Sequence, residues 1–417
     1  MTNDAIKPAY PGRQELMIRN VIWMMALIVG FGANSTAQDI VISRGVAKTS
    51  VDVAGVQIGN DTGSQTFLQV LKTDISRSGW LELGRAGMSD FILTGRVQFD
   101  GSTMRSTLQL SQRGSTRALL SKTYNSDSSG IRRIAHEAAD DIVQAITGRR
   151  GFASAKIVMV GNRTGSKELY MSDSDGRSMY PVTADKSVSL APRWSRDGSR
   201  IFYTSFLRGF PAIYRIDLAT RQRTRISNFS GLNSGGAVSP DGKDLALILS
   251  KDGNPDLYIM RLDDGALTRL TTTPGAVEAS PSWSPDGRQI VYVSDQAGNP
   301  NLFVISRSGG SPRQITTRNR QNVAPDWGPH GEIVYASLIG RRFQICVINP
   351  QTGEIRQITN DNNADHEDPS WAPNGRHIAC AKTSQFRSKV YLIDSMGDAP
   401  ILLTDYDGDW FSPKWSP

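Results

Sequence analysis

Cysteine is nearly absent from this sequence: there are two in 417 residues, Cys346 and Cys380. They allow at most one disulfide and lack metal-type spacing, which excludes a disulfide scaffold or a thiolate metal site as the organising device. Histidine is also scarce, with His136, His330, His366 and His377 as the full set. The GxSxG elbow of a serine hydrolase does not occur. Lys and Arg exceed Asp and Glu by 7, but no basic run is longer than two and aromatic residues are not interleaved with them, which argues against nucleic-acid binding. Long hydrophobic runs are missing too, apart from Val21–Phe31, and that run is shorter than the roughly 20 residues that span a bilayer. What the chain has in quantity is turn formers, 39 Gly and 20 Pro, a bias towards β structure.

The apolar run follows Arg19 and leads into Gly32-Ala33-Asn34-Ser35-Thr36-Ala37, with small residues where a signal peptidase needs them. Residues 1–37 therefore read as a secretory signal cut after Ala37, with Met17 as an alternative start and no Cys after the run to take a lipid. The expected product is an exported protein that does not itself span a membrane.

Beyond it, one pentapeptide keeps returning. Trp194-Ser-Arg-Asp-Gly198, Val238-Ser-Pro-Asp-Gly242, Trp283-Ser-Pro-Asp-Gly287, Trp327-Gly-Pro-His-Gly331, Trp371-Ala-Pro-Asn-Gly375 and Trp415-Ser-Pro417 are spaced by 44, 45, 44, 44 and 44 residues. A period in the forties belongs to propeller blades or helical solenoids. The residues between the copies decide: short β-rich runs such as Ile290–Ser294, Asn301–Ile305 and Arg313–Thr316 alternate with polar, Gly-containing gaps, as strands do. Pro presets φ, Asp bonds to the local backbone and Gly accepts φ > 0, so Ser-Pro-Asp-Gly reverses the chain between a first and a second strand. The preceding Trp offers a large flat surface for packing on the neighbouring blade. Ile157–Val160, Glu168–Met171 and Tyr180–Thr183 match the last three strands of a blade, whereas Phe411–Ser416 matches a first strand alone. Joining them predicts a mainly β fold, a six-bladed β-propeller over residues 153–417 whose carboxyl-terminal strand closes the first blade.

Residues 38–150 lack the period and read as a small α/β domain. Helical spacing appears at Phe67, Leu68, Leu71 and Ile75, with Ser64 as N-cap and Gly79 as stop, and again from Ile131 to Ile146, between Ser129 and Gly148. Strands are predicted at 51–58, 91–97, 105–110 and 118–124. The short junction Gly148–Phe152 predicts contact between the two domains. Cys346 and Cys380 stand where sister repeats carry Phe303 and Tyr292, and so read as buried thiols.

Candidate chemistry is thin, and no cofactor is implied. Asp365-His366-Glu367-Asp368 has metal-ligand types, but it occupies the entry to a first strand and reads as a solvated binding loop. Asp405–Asp409 begins like a calcium loop yet lacks the Gly and Glu such a loop requires. The loops entering the innermost strands differ from copy to copy and converge on one mouth of the channel, which makes that mouth the candidate recognition surface.

The leader, the helix segment His136–Asp140 running to Ile146-Thr-Gly148, the Phe152…Lys156-Ile157 entry and the blades ending in Phe411-Ser-Pro-Lys-Trp-Ser-Pro417 together resemble the TolB family. The resemblance implies a non-catalytic periplasmic component of the Tol-Pal envelope system. It also implies a propeller mouth that binds the lipoprotein Pal, here through Leu232, Asn233, Ser234, Glu278, Ala279, Ser280, Asn322, His366 and Glu367. A mature N-terminus that binds TolA would correspond to Asp39, Ile40, Val41, Ile42 and Ser43, whose β-branched alternation suits strand addition to a partner's sheet. No metal or catalytic residue is implied. The alternative is a propeller enzyme or lectin-like binder holding a small peptide or glycan in the channel.

Overall fold

The turn chemistry is realised bond by bond in the computed structural model, which describes residues 47–417. In the copy at Trp283, Ser284 Oγ donates to Asp286 Oδ1 (2.6 Å), Gly287 N–H donates to Ser284 O (2.9 Å) and Gln289 N–H donates to Ser284 Oγ (2.9 Å). Gly287 takes φ +68°, a conformation that disfavours side chains. Ser195/Asp197 and Ser239/Asp241 repeat the arrangement. In the copy at Trp327 the serine is Gly328, where an added Cβ would lie 2.6 Å from Cδ1 of Trp371 in the next blade. That close approach explains why the serine is lost there.

These turns organise six four-stranded antiparallel sheets. Their innermost strands are Trp410–Trp415, Ser189–Trp194, Asn233–Val238, Glu278–Trp283, Asn322–Trp327 and Asp365–Trp371. Each packs against the innermost strand on either side, closing a ring. The first blade is composite: Trp410–Trp415 pairs antiparallel with Lys156–Gly161, Trp410 opposite Gly161 and Trp415 opposite Ile157. Two of the repeated tryptophans hydrogen-bond across blades. Trp194 Nε1 donates to Lys414 O and Trp283 Nε1 to Ala237 O, both at 2.9 Å and both into the preceding blade. Between blades lie apolar clusters of buried strand residues, where Cys346 and Cys380 sit as free buried thiols.

Before the ring, β1 (Thr49–Ile58), α1 (Thr62–Arg77), β2 (Leu81–Leu83), β3 (Phe91–Phe99), β4 (Thr103–Gln112), β5 (Ala118–Asp127) and α2 (Ile131–Thr147) form a five-stranded sheet, ordered β2-β1-β3-β4-β5, with two helices. Phe67, Leu71 and Ile75 of α1 and Ile134, Ala138 and Ile142 of α2 share one core with Val51, Leu93 and Leu108 of the sheet. One cap differs from expectation. Asp61, not Ser64, caps α1 by accepting from Ser64 N–H (2.6 Å), while α2 lies between Ser129 and Gly148 as expected, with Gly130 at its N-cap. Strand β2 is too short to show alternation in the sequence.

This region is fastened to the ring by polar contacts, the deepest of them around Arg376. Asp140 of α2 accepts from Ala153 N–H (2.8 Å) and Ser154 N–H (2.9 Å), pinning the entry to the first blade. Arg132 of α2 reaches Asp173 (3.1 Å) and Asp175 (2.6 Å) of that blade. Arg376 of the last blade, only 1% exposed, grips Asp394 (2.6 Å) and stacks on Trp80, its guanidinium 4.2 Å from the ring centre. Among the described residues, no helix is long and apolar enough to cross a membrane.

Candidate functional site

The mouth candidates lie mostly in strands rather than in loops. Asn233, Glu278, Asn322 and His366, together with Ser189 and Trp410, hold the same register near the start of the six innermost strands, and all six are buried. The reason is visible in their partners. Each blade carries a threonine or serine at the end of its third β run that contacts the start of its own third strand or the next blade. Thr316 Oγ1 receives Leu302 N–H (2.9 Å) and donates to Asn301 Oδ1 (3.1 Å), which accepts from Asn322 Nδ2 (2.9 Å). Thr271 and Thr359 occupy the same place. These inter-blade latches were not read from the sequence, although a Thr recurring with the blade period was the available signal.

The latch at Glu278 differs in charge. Its partner is Asp256, fully buried and held by Arg269 (2.5 Å), while Ser294 Oγ donates to Glu278 Oε1 (3.2 Å) and Glu278 Oε2 has no hydrogen-bond partner. Burial, reinforced by the Asp256 carboxylate, pushes Glu278 up to about 7. His366 lies 3.6 Å from Asp361 and is held below the ordinary imidazole range by burial and by Lys382.

The remaining candidates, Leu232, Ser234, Ala279, Ser280 and Glu367, are partly exposed. Leu232 lies just outside the strand and the other four within strands. Glu367 is pushed up to about 8 by burial and by its neighbours Asp368 and Asp365. Ser280 takes φ +50°, and Ala191, Ala324, Asp368 and Ser412 at the equivalent places take φ between +45° and +51°, with Gly235 at +84° completing the six. The strand pairing slips by one residue here in every blade, a bulge that re-aims the innermost strand. Only Gly235-Gly236 is a glycine version of it, and that pair lies within the strand. Deeper in, backbone-to-side-chain bonds link the blades: Trp327 N–H donates to Ser282 Oγ (3.0 Å) and Trp371 N–H to Asp326 Oδ2 (2.8 Å). Lys414 donates to Pro369 O (2.9 Å) and is pushed down to about 8 by burial and by Arg193. The N-terminal candidates Asp39, Ile40, Val41, Ile42 and Ser43, like the leader, lie outside the described residues.

The other histidines are engaged in packing. His136 Nδ1 stands 2.6 Å from Asp74; burial opposes its charge, but Asp173 and Asp74 outweigh burial and hold it at about 9. With Asp173 and Asp175 it forms a metal-like group, yet those carboxylates are taken up by Arg132 and Lys156. His377 is packed on Phe152, and burial together with Arg376 pushes it down to about 3. His330 sits in a turn, 3.3 Å from Asn374 O. What the mouth offers is shape, partly exposed strand starts that differ between blades, and buried polar latches beneath them.

Comparison with known proteins fits this architecture. A nidogen/laminin complex aligns at TM-score 0.51 and 11% identity, covering 63% of this chain and 98% of that one, and shares the fold alone. TolB from Acinetobacter baumannii superposes at TM-score 0.80 with 25% identity, covering 91% of this chain and 99% of that one. The Tol-Pal system protein TolB of Francisella tularensis is 34% identical over 327 residues, 74% of this chain and 75% of that protein. The family model described as the TolB beta propeller domain matches residues 143–417, and with that match the chain belongs to the TolB family.

Proposed function

We propose that this chain is a non-catalytic scaffold of the Tol-Pal envelope system, exported to the periplasm after cleavage near Ala37. In this reading residues 38–150 form an N-terminal domain, and residues 153–417 form a propeller whose mouth docks a Pal-like peptidoglycan-associated lipoprotein. The segment Asp39–Ser43 engages a TolA-like inner-membrane protein by strand addition. The pair of contacts supports outer-membrane integrity and constriction at division.

One observation carries the mouth assignment. The turns and the threonine or serine latches repeat from blade to blade, whereas the partly exposed residues one step beyond each buried latch position are Phe411, Leu190, Ser234, Ala279, Val323 and Glu367, six different side chains, of which Phe411, Leu190, Ala279 and Val323 also lean on the apolar clusters between blades. Membership of the TolB family supports the partner class.

The test uses the purified chain and the periplasmic part of the lipoprotein in a calorimetric titration. Because Glu278 and His366 are buried, the informative variants are Ser234→Arg and Ala279→Arg, each expected to weaken binding by at least about tenfold. Asp286→Arg, on the turn at the other end of the strand, should leave affinity unchanged. Unaltered binding in both arginine variants sinks the mouth assignment. Deleting residues 39–43 should abolish capture by the TolA-like partner while leaving lipoprotein affinity intact.

A further inference from the structure

In two of the six blades the connection between the second and third strands is paired almost to its tip, whereas in the rest it is an irregular loop of the same length. In four blades the hairpin between the second and third strands ends at the residue opposite the buried latch position, as where Glu278 faces Ser294. In the fifth and sixth the pairing continues for two more residues, to Ile339 and Ser384, and leaves only a two-residue turn. The two hairpins turn differently. The fifth uses Gly340-Arg341, with glycine at φ +63°, but the sixth uses Gln385-Phe386, with φ +49° and +63° on two residues that both carry side chains. Tight hairpins of this class favour Asn-Gly because left-handed backbone is unfavourable for a bulky residue. Phe386 is also 99% exposed. One residue thus bears two costs, a strained backbone and a bare aromatic ring, where glycine would remove both. Strain of this kind is a mark of function.

The surroundings indicate what the ring meets. A cleft of about 430 Å³ lies beside it, lined by Arg342, Asn363, Asp365 and the Thr383–Phe386 turn. Arg342 and Lys382 are neutralised by Asp365 (2.8 Å) and Asp361 (2.9 Å). Lys389 donates only to the backbone carbonyls of Tyr406 and Gly408, Arg387 is 72% exposed and 4.0 Å from Asp409, and Arg341 is exposed without a carboxylate partner among the described residues. The tip is therefore an aromatic knob beside a hole, with the exposed cations Arg341 and Arg387 on the two adjoining hairpins.

We infer that the Ser384–Arg387 hairpin tip is a docking wedge: Phe386 inserts into an apolar pocket, rimmed by carboxylates, on the folded lipoprotein partner, which returns a side chain to the adjoining cleft. This rests on the docking reading above and deepens it. Buried aromatics enclosed by such a rim are typical interface anchors.

Four chains are compared for affinity to the lipoprotein: the parent, Phe386→Ser, Phe386→Trp, and the double variant Gln385→Asn/Phe386→Gly. The serine variant should bind at least about 30-fold more weakly, and the tryptophan variant within about threefold of the parent. The Asn-Gly variant should melt a few degrees higher than the parent, about the scale of a relieved turn, yet lose affinity like the serine variant. Equal binding by the parent and the Asn-Gly variant overturns the wedge and leaves the mouth assignment standing. No binding by the parent overturns the docking reading and the wedge with it. Sedimentation of the parent, but not of Phe386→Ser, with phosphatidylglycerol-containing vesicles makes the ring a lipid anchor and overturns the proposal as well.

Discussion

Replacing Trp410 by alanine tests the closure of the ring at its composite blade. The indole is fully buried, meets Tyr170 edge-on at 5.0 Å and covers Gly161 on the strand it pairs with. Removing a buried aromatic of this size costs about 3–5 kcal/mol in lost transfer energy and residual cavity. For a cooperative unit this large, that predicts a fall in melting temperature of roughly 6–10 °C. The same contact can be strained from the other side, since a Cβ on Gly161 would lie 2.5 Å from Trp410 Cζ3. Gly161→Ala alone should cost about 1–3 kcal/mol through overpacking. Combined with Trp410→Ala, the methyl enters the vacated space, so the double variant should be more stable than the sum of the two losses by about 1–2 kcal/mol. Thermal melts followed by far-ultraviolet circular dichroism give all three values, with Phe210→Ala, 66% exposed, as the neutral control. Strict additivity, or a Trp410→Ala shift no larger than the control, would show that these two strands do not close the blade as described. Truncation before Phe411, which removes most of the strand, should leave an open sheet edge and an aggregating product.

Glu278→Gln should be stabilising, because the folded protein favours the protonated acid. Its folded value is raised to about 7 from an ordinary 4.5, so its contribution is intact below 4.5 and is lost as pH rises towards 7. The variant should gain on the parent by an order of 1–3 kcal/mol across that window and hold the gain above it, in denaturant melts at stepped pH. Gly328→Ala should lower the urea midpoint by about 1–3 kcal/mol with an unchanged slope, because its methyl meets the Trp371 indole. Arg376→Met should cost about 3–5 kcal/mol by leaving Asp394 buried without its partner, and Asp394→Asn should recover part of the loss. If the two substitutions at the Arg376–Asp394 pair simply add, the pair is not the fastening described.

The architecture was legible because each blade is written as a local rule. Ser-Pro-Asp-Gly encodes a turn in side-chain oxygen, fixed φ and tolerated φ, and the strands around it alternate in type. The same reasoning placed Trp194 and Trp283 between blades and paired Phe411–Ser416 with a sheet begun near Ile157. It failed where the deciding contact is long-range. Leu81–Leu83 is a strand only because β1 is beside it, whereas the cap of α1 was a local choice, Asp61 accepting from Ser64 three residues on. Glu278 and His366 looked like loop residues at a mouth because nothing local shows that each register position faces another blade. Asn322 is buried because Asn301 and Thr316 bond it there, and the φ > 0 bulges at Ser280 and Asp368 follow from ring geometry rather than from residue preference. For Phe386, an unremarkable Gln-Phe pair conceals a backbone conformation that no propensity suggests.

The composite blade also fixes an order of events in synthesis. The strand that completes the sheet begun at Lys156 is encoded after the five remaining blades, so a nascent chain carries an unpaired edge on its first sheet until the others have been made. A chain interrupted anywhere in the intervening sequence keeps that edge, which exposes it to proteases and to other unfinished chains. Closure of the first sheet therefore waits on the last strand to be made.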